Sequence, residues 1–318
     1  MNSAVFFTRY GTAMALLVLV AFNLAVTPNF ATLQTLNVNL TQVCTIVIVG
    51  VGMTLVIATG GIDLSVGSLM AISGALAPMI FMGKLIQLDS LYLSVTLAII
   101  VAIALAALLG AFNGWLIARF RIQPIVATLV LFIAGRGFAQ VMTNGNLQVF
   151  KVPEFQFIGL GRVFGIPFQV IIMVLVVAVA AWVLRRTLFG RQVLAIGGNE
   201  RAARLSGIAT ARVKIAVYAI SGACAGIAGL IVIAINSASD ANLVGMGMEL
   251  DAIAAVAVGG TLLTGGRATI IGTLIGALTI QLVRYTLLAN GVPDAAALVV
   301  KAAIIITAVW LQQRGQTA

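Results

Sequence analysis

The sequence predicts an all-α protein: a polytopic transmembrane helical bundle of about ten spans, forming a single domain over residues 1–318. Of the 318 residues, 62% are hydrophobic and 8% are charged, and the mean hydropathy is +1.17. Soluble domains carry about 25% charged residues because their surfaces face water. The apolar runs also approach the roughly 20 residues that a bilayer span needs. Most of the surface is therefore expected to face lipid.

Ten apolar runs are candidates for membrane spans, and the first is interpreted as a retained helix because no signal-peptide cleavage pattern follows it. The runs cover residues 11–26, 40–59, 64–82, 91–117, 122–142, 167–184, 215–235, 250–263, 268–288 and 295–311. The eighth run is short, and the second and third meet at a Gly-rich junction. Either place is expected to hold an interrupted or re-entrant helix, which protein or a water-filled cavity must then cover.

The distribution of basic residues predicts that both termini are cytoplasmic. With the N-terminus inside, the outer loops hold only Lys84, Lys151 and Arg162. Twelve basic residues fall in the inner loops and termini: Arg9, Arg119, Arg121, Arg185, Arg186, Arg191, Arg201, Arg204, Arg212, Lys214, Arg267 and Arg314. Basic loops are retained in the cytoplasm, so this excess indicates the orientation. The same distribution, with no basic stripe, argues against a nucleic-acid partner despite the net charge of +10.

Several kinds of chemistry are excluded or disfavoured by residue content. The chain has no His, which excludes imidazole general bases and His-ligated metals. Cys44 and Cys224 lie in separate apolar runs and are interpreted as small packing residues. No G-x-x-x-x-G-K-[ST] loop occurs, so the chain is expected to bind no cofactor and to hydrolyse no ATP by itself.

A faint internal repeat links two Gly-rich junctions. Residues 60–67 and 259–266 share the spacing G-G-x-x-L-[S/T]-x-G, and each falls between two apolar runs on the inner side. Transporters built from duplicated halves place interrupted helices at corresponding positions. A chance likeness between two Gly-rich junctions is the other explanation.

The longest inner segment, about residues 185–213, contains a short, well-specified helix. Asn199 is a favourable N-cap, Glu200 suits the positive end of the helix dipole, and Gly207 suits the left-handed position after the helix. Glu200 and Arg204 are four residues apart and are expected to pair. Such a helix either seats in the cleft of a partner protein or lies on lipid headgroups, with its arginines meeting anionic lipid.

This segment resembles the coupling helix of ABC-importer permeases, in the variant form Glu200-x-Ala202-Ala203-x-x-x-Gly207 that is typical of the ribose-type permease family. Further segments resemble the same family, in the same order along nearly the whole chain: GMTLVI (52–57), GIDLSVGS (61–68), TNG (143–145), LSGI (205–208) and ELDAIAAV (249–256).

The resemblance implies a permease of the bacterial inner membrane that carries a small sugar by alternating access. It implies three protein partners: a second permease copy or related permease, an ABC ATPase subunit that binds ATP and Mg, and a periplasmic sugar-binding protein. The residues expected to couple to the ATPase are Asn199, Glu200, Arg201, Ala202, Ala203, Arg204 and Gly207.

Ionisable residues inside apolar runs are costly, so they are candidates for the pathway or its gate. Asp63 either lines a cavity, accepts a hydroxyl hydrogen bond or holds a broken segment together, or it caps the third helix in a cytoplasmic turn, assisted by Ser65. Asn113 is expected to face a partner on another helix. Gly110, Gly222 and Gly272 open small-x-x-x-small spacings that favour close packing.

The remaining candidates lie toward the outer side. Arg136 either pairs with an acid across the bundle or reaches the outer interface. Glu249 and Asp251 open the eighth span, where they meet the binding protein or the sugar, or else belong to a solvated loop with an N-cap.

The main alternative function is an ion-coupled secondary transporter, which Asp63 and the Gly-broken helices would also suit. Such a transporter does not require the basic, capped inner segment. A membrane-embedded enzyme is disfavoured because no nucleophile–base pair is visible in the sequence.

Overall fold

A computed structural model describes residues 3–293, 295–300, 302–304 and 306–307, and the fold is almost entirely helical. The helices are α1 (Ser3–Val26), α2 (Leu33–Ala58), α3 (Val66–Phe81), α4 (Leu91–Phe120), α5 (Pro124–Thr143), α6 (Pro153–Leu160), α7 (Phe168–Arg186), α8 (Leu188–Gly198), α9 (Glu200–Leu205), α10 (Thr210–Asn236), α11 (Met248–Val258) and α12 (Ile270–Ala289). Residues 295–300 and 302–304 are also helical. The rest of the predicted run 295–311 lies mostly outside the described residues.

Within the described part of the chain, six helices are long and apolar enough to cross a membrane: α2, α4, α5, α7, α10 and α12. The polytopic helical class is therefore confirmed. Two predicted spans are not full crossings. Helix α3 has 16 residues and α11 has 11, which is about 24 and 16 Å at 1.5 Å per residue. Both are shorter than the roughly 30 Å hydrocarbon core, so both are partial helices, as the interruptions in the sequence indicated.

Two features of the fold were missed. Helix α2 begins at Leu33, seven residues before the predicted start, because the Thr32 side chain caps it by accepting from the backbone N–H of Thr35 at 3.2 Å. The segment between α5 and α7 was assigned no helix or strand from the sequence, but it folds. It contains α6 and three strands: β1 (Gln148–Val149), β2 (Arg162–Val163) and β3 (Ile166–Pro167).

Short antiparallel ladders close the end of the bundle opposite α8 and α9. Strand β1 pairs with β4 (Ala238–Ser239), which follows α10, and β2 pairs with β3. Phe155 of α6 is fully buried. Its ring contacts Phe81 in a tilted arrangement and Phe150 edge-on. This layer therefore covers the ends of α3 and α10.

Helices α2 and α10 form the centre of the bundle. Their most apolar windows are 83% and 67% buried, whereas that of α5 is 22% buried. Helix α4 packs closely along α10, because Gly110 and Gly114 lie against the backbone of α10 and Gly222 lies against Ala106. Gly272 lies against Gly259 in the same way. The predicted packing role of these glycines is confirmed.

Candidate functional site

Asp63 lies in the junction between α2 and α3, and it is completely buried. Its Oδ1 accepts from the Ser65 backbone N–H at 3.0 Å and from the Ser65 hydroxyl at 2.6 Å. Its Oδ2 accepts from the hydroxyl of Ser221 at 2.7 Å, which lies near the middle of α10. Both carboxylate oxygens are therefore used by protein hydroxyl and backbone donors.

The predicted cap in a cytoplasmic turn describes Asp63 only in part, because its Oδ1 accepts from the Ser65 N–H near the start of α3 while its Oδ2 is bound by α10. The N-cap residue of α3 is Ser65, whose side chain makes no capping hydrogen bond. Because Ser221 lies near the middle of α10, the carboxylate sits inside the bundle instead of at its end. The chain re-enters the bundle here, and Asp63 holds that irregular segment to α10.

Other helices also fasten this junction. The Asn113 side chain of α4 donates to the Ser65 hydroxyl at 3.1 Å, which confirms the predicted interhelical partner. The carbonyl oxygen of Ile62 accepts from Thr128 of α5 at 3.4 Å and from the Tyr218 hydroxyl of α10 at 3.5 Å. The junction is thus tied to α4, α5 and α10 at once.

Arg136 of α5 forms no close ion pair with an acid among the described residues, so the predicted pairing is not found at contact distance. Its reach to the outer interface remains a prediction. Its guanidinium donates to the carbonyl oxygens of Val244 at 2.6 Å, Ala241 at 2.9 Å and Gly67 at 3.3 Å. Its five fixed N–H donors suit several carbonyls at once. Arg136 therefore joins the start of α3 to the segment that precedes α11.

The N-terminal ends of α3 and α11 meet inside the bundle. Gly67 lies against the backbone of Gly245, and a Cβ at Gly67 would come within 2.6 Å of Glu249 Oε2. Glu249 is 8% exposed, and its Oε2 has no hydrogen-bond partner among the described residues. Helix N-termini carry partial positive charge, so this place suits oxygen-rich groups.

The predicted alternatives for the acids of α11 are resolved in part. Helix α11 is capped by Gly247, with φ of 74°, and Glu249 is buried, so neither the solvated loop nor an acidic N-cap describes it. Asp251 follows in the first turn and is half-buried. Whether either acid meets a sugar or a binding protein remains a prediction.

The two Gly-rich junctions end their helices with the same turn. Gly60 has φ of 80° and Gly260 has φ of 82°. In each case the following N–H reaches back five residues, from Gly61 to Val56 and from Thr261 to Val256, both at 3.2 Å. The two junctions therefore share a helix-ending turn, one residue out of the predicted register, because Gly60 corresponds to Gly260 and not to Gly259. An origin of the two junctions in an internal repeat remains a prediction.

The inner segment forms α8 and α9, of which the sequence predicted only α9. The Asn199 side chain accepts from the Ala202 N–H at 3.0 Å, and Gly207 has φ of 84°, so both predicted helix ends are confirmed. Glu200 pairs with Arg204 at 3.6 Å, as predicted, and also with Lys214 of α10 at 2.7 Å. The pair with Lys214 fastens α9 to the start of α10.

The two alanines of α9 do not share a face. Ala203 is buried against the protein, whereas Ala202, Arg201 and Arg204 are exposed. Leu205 is 83% exposed, which leaves an apolar tip on an otherwise polar helix. The free face thus combines one leucine, one alanine and two arginines.

A glycine contact connects α8 to both Gly-rich junctions. The N–H of Gly266 donates to the carbonyl oxygen of Ala58 at 3.0 Å. Gly197 of α8 lies against Ala58 and Gly266, with no room for a Cβ. Gly265 lies against the backbone of Gly60. The helix pair α8–α9 thus abuts the turn that leads to Asp63 and the turn that follows α11.

Sequence reasoning missed Gly197, Ser221, Lys214 and Gly266. Their partners are distant in sequence, and glycine or serine in an apolar run carries no individual signal. Only Lys214 was detectable, as a basic residue in the first two turns of α10.

Comparison with known proteins places this geometry in context. Residues 36–309 match a family model described as the permease component of the branched-chain amino acid transport system. The chain is 42% identical over 307 residues to the ribose import permease protein RbsC of Escherichia coli K12, covering 95% of this chain and 93% of that protein.

Two further relatives are similar over most of their length. The galactofuranose transporter permease protein YtfT of Escherichia coli K12 is 40% identical over 86% of this chain and 78% of its own. The L-arabinose ABC transporter permease protein AraH of Azospirillum brasilense is 34% identical over 96% of this chain and 87% of its own. No solved structure matches the chain.

Proposed function

The chain belongs to the family of transport-system permease components, and on that premise we propose that it is the membrane-spanning permease of an ATP-driven importer for a small sugar. The observation that carries the proposal is α9, a capped and exposed helix whose neighbour α8 touches both Gly-rich junctions. The names of the three relatives specify ribose import, galactofuranose transport and L-arabinose transport, which supports a monosaccharide as the cargo. The family description names amino acids, so the cargo needs its own test.

Energy for transport comes from a partner chain in this proposal. The sequence lacks a phosphate-binding loop, so ATP and Mg bind to an ABC ATPase subunit on the cytoplasmic side, and this chain is not itself an enzyme. A periplasmic sugar-binding protein delivers the cargo, and a second permease copy or a related permease completes the pathway. The assembly lies in a bacterial inner membrane.

Helix α9 is the surface on which the ATPase acts. Arg201, Ala202 and Leu205 are exposed and seat in a cleft of the ATPase, whereas Glu200 anchors the helix to α10 through Lys214. A partner can shift the permease between two states only if it contacts those states differently. Since Gly197 abuts Ala58 and Gly266, a displacement of α8–α9 presses directly on both junctions.

The path for the sugar passes the meeting point of α3 and α11. Two partial helices whose N-termini converge inside a bundle are typical of substrate sites in transporters. The unpartnered Oε2 of Glu249 is an acceptor for a sugar hydroxyl, and Arg136 holds the surrounding backbone in place. Asp63, with both oxygens occupied, maintains the shape of the path and does not bind cargo.

The experiment is reconstitution of the permease in proteoliposomes with its ATPase and binding protein. ATP hydrolysis and uptake are measured across a panel of pentoses, hexoses and furanoses, with leucine, isoleucine and valine as the amino-acid comparison. Stimulation by one sugar, and by none of the amino acids, is the expected result. Accumulation of a solute against a gradient by the permease alone, without nucleotide or partner proteins, would refute the proposal.

A further inference from the structure

Two adjoining cavities lie between the end of α4 and the corner formed by α9 and α10. Their volumes are about 440 and 660 Å³, and both are lined by Ala118, Arg121 and Arg204. The smaller one, called here the arginine cavity, is also lined by Arg119, Arg212 and the first residues of α10. The arginine cavity is strongly basic and lies outside the path described above.

The arginine cavity contains four guanidinium groups and no acid among its lining residues: Arg119, Arg121, Arg204 and Arg212. In the larger cavity the single acid is Glu200, which already pairs with Lys214 and Arg204. Positive charges around one cavity repel one another, so a bound anion would stabilise this arrangement of the four arginines. Planar guanidinium groups match the geometry of phosphate oxygens.

The neighbouring surface indicates where that anion comes from. Phe112, Trp115 and Phe120 of α4 are exposed, each by at least 43%, and they form one cluster. Trp115 stacks on Phe112 at a centroid distance of 5.9 Å and meets Phe120 edge-on at 5.1 Å. Exposed aromatic clusters next to basic residues are typical of the membrane–water interface.

The N-terminus of α10 also favours an anion in the arginine cavity. Thr210, Ala211 and Arg212 line the arginine cavity, and the N-cap residue Ala209 supplies no side-chain cap. The partial positive charge of this 27-residue helix therefore remains available to a bound anion.

We infer that the arginine cavity binds the phosphate headgroup of an anionic phospholipid from the leaflet that surrounds α4. The lipid would brace the end of α4 against the α9–α10 corner. The opposite side of α9 stays free, since Leu205 lines neither cavity. This site goes beyond the proposed transport function and does not depend on the identity of the cargo.

The test measures lipids retained by the purified full-length protein in native mass spectrometry. Phosphatidylglycerol and phosphatidylethanolamine with the same acyl chains are compared for three proteins: wild type, Arg119→Gln/Arg121→Gln, and the control Arg185→Gln/Arg186→Gln. The control pair is also basic, exposed and at the end of a long helix, α7, but it lines neither cavity. Wild type and control should prefer phosphatidylglycerol, and the cavity variant should lose about tenfold or more of that preference.

A charge-retaining variant separates binding from folding. Arg119→Lys/Arg121→Lys should keep most of the preference for phosphatidylglycerol if charge at this place binds the lipid. Equal retention of both lipids by wild type would overturn the inference, as would an equal loss in the control pair. Complete displacement of the lipid by excess inorganic phosphate would show a soluble-anion site instead. Unchanged lipid preference with failed ATPase binding in the cavity variant would assign the cavity to the partner protein.

Discussion

The N–H of Gly266 donates a 3.0 Å hydrogen bond to the carbonyl oxygen of Ala58, and this bond joins the two Gly-rich junctions of the bundle. Ala58 ends α2, and Gly266 lies between α11 and α12. Gly197 packs on both residues from α8. A displacement of α8 would therefore act at once on the junctions beside both partial helices, α3 and α11. A coupled gate requires that both helices move together.

Gly197→Ala tests this contact. The new Cβ would collide with the backbone of Ala58 and Gly266, at a cost of about 1–3 kcal/mol of overpacking strain. Sugar-stimulated ATP hydrolysis should persist in the reconstituted importer, whereas uptake per ATP should fall. The adjacent Gly198→Ala is the matched control, because a Cβ there meets nothing within 4 Å. Equal uptake by the Gly197→Ala and Gly198→Ala variants would show that the Gly197 contact does not couple α8 to the two junctions.

Glu200→Lys should stop uptake while leaving membrane insertion unchanged. The new lysine would face Arg204 and Lys214, so repulsion between like charges would replace the pair that fastens α9 to α10, and uptake should fall about tenfold or more. Uptake and ATPase copurification are the measurements. The exchange Glu200→Lys/Lys214→Glu restores the pair with Lys214. Recovery of transport in the exchange variant would support the anchoring role, whereas normal uptake in Glu200→Lys alone would contradict it.

Asp63→Ala should destabilise the folded protein without removing a substrate contact. It leaves the hydroxyl groups of Ser65 and Ser221 without their buried acceptor, and each such loss costs about 1–3 kcal/mol. An apparent melting temperature lower by roughly 4–8 °C is expected in detergent. The Asp63→Asn variant keeps one acceptor oxygen, so its apparent melting temperature should fall less. Exposed Asp89→Ala is the control, with an expected change near zero.

Arg136→Lys should loosen the segment before α11. A lysine presents a single ammonium group and cannot reproduce three guanidinium contacts. Each charge-assisted hydrogen bond that is lost costs about 1.5 kcal/mol or more, so amide exchange over residues 241–245 should accelerate by roughly tenfold. Arg162→Lys, at an exposed outer position, should leave that exchange unchanged. Protection equal to wild type in Arg136→Lys would contradict the role assigned here.

Glu249→Gln tests the path for the sugar. The amide retains the size of the carboxylate but replaces one buried acceptor with a donor, so uptake should fall while basal ATP hydrolysis and assembly are retained. Glu154→Gln is a close control, because its Oε2 is also buried and unpartnered but lies in α6, outside the path. The same loss in both variants would argue against a special position for Glu249.

The helix inventory was largely predictable, because long apolar runs have few alternatives to a membrane helix. Both ends of α9 were predicted as well, since Asn199 and Gly207 act through local backbone geometry. Local signals failed for the segment between α5 and α7. Strand β1 pairs with β4, which is far along the chain, the strands of the β2–β3 hairpin have only two residues each, and α6 is only eight residues long.

The roles of single polar residues were the least predictable. Asp63 next to Ser65 looked like a helix cap, and only the position of Ser221 shows that it lies inside the bundle. Arg136 looked like half of an ion pair, yet its partners are carbonyl oxygens, which every residue carries and no sequence distinguishes.

The sequence by itself determined the membrane-spanning class and both ends of α9, because apolar length and helix caps act locally. Only the tertiary structure decided that α3 and α11 meet at their N-termini, and that Gly197 reaches Ala58 and Gly266. The physical reason is that close backbone packing is specified jointly by helices that are distant in sequence, and a glycine shows what it contacts only after they assemble.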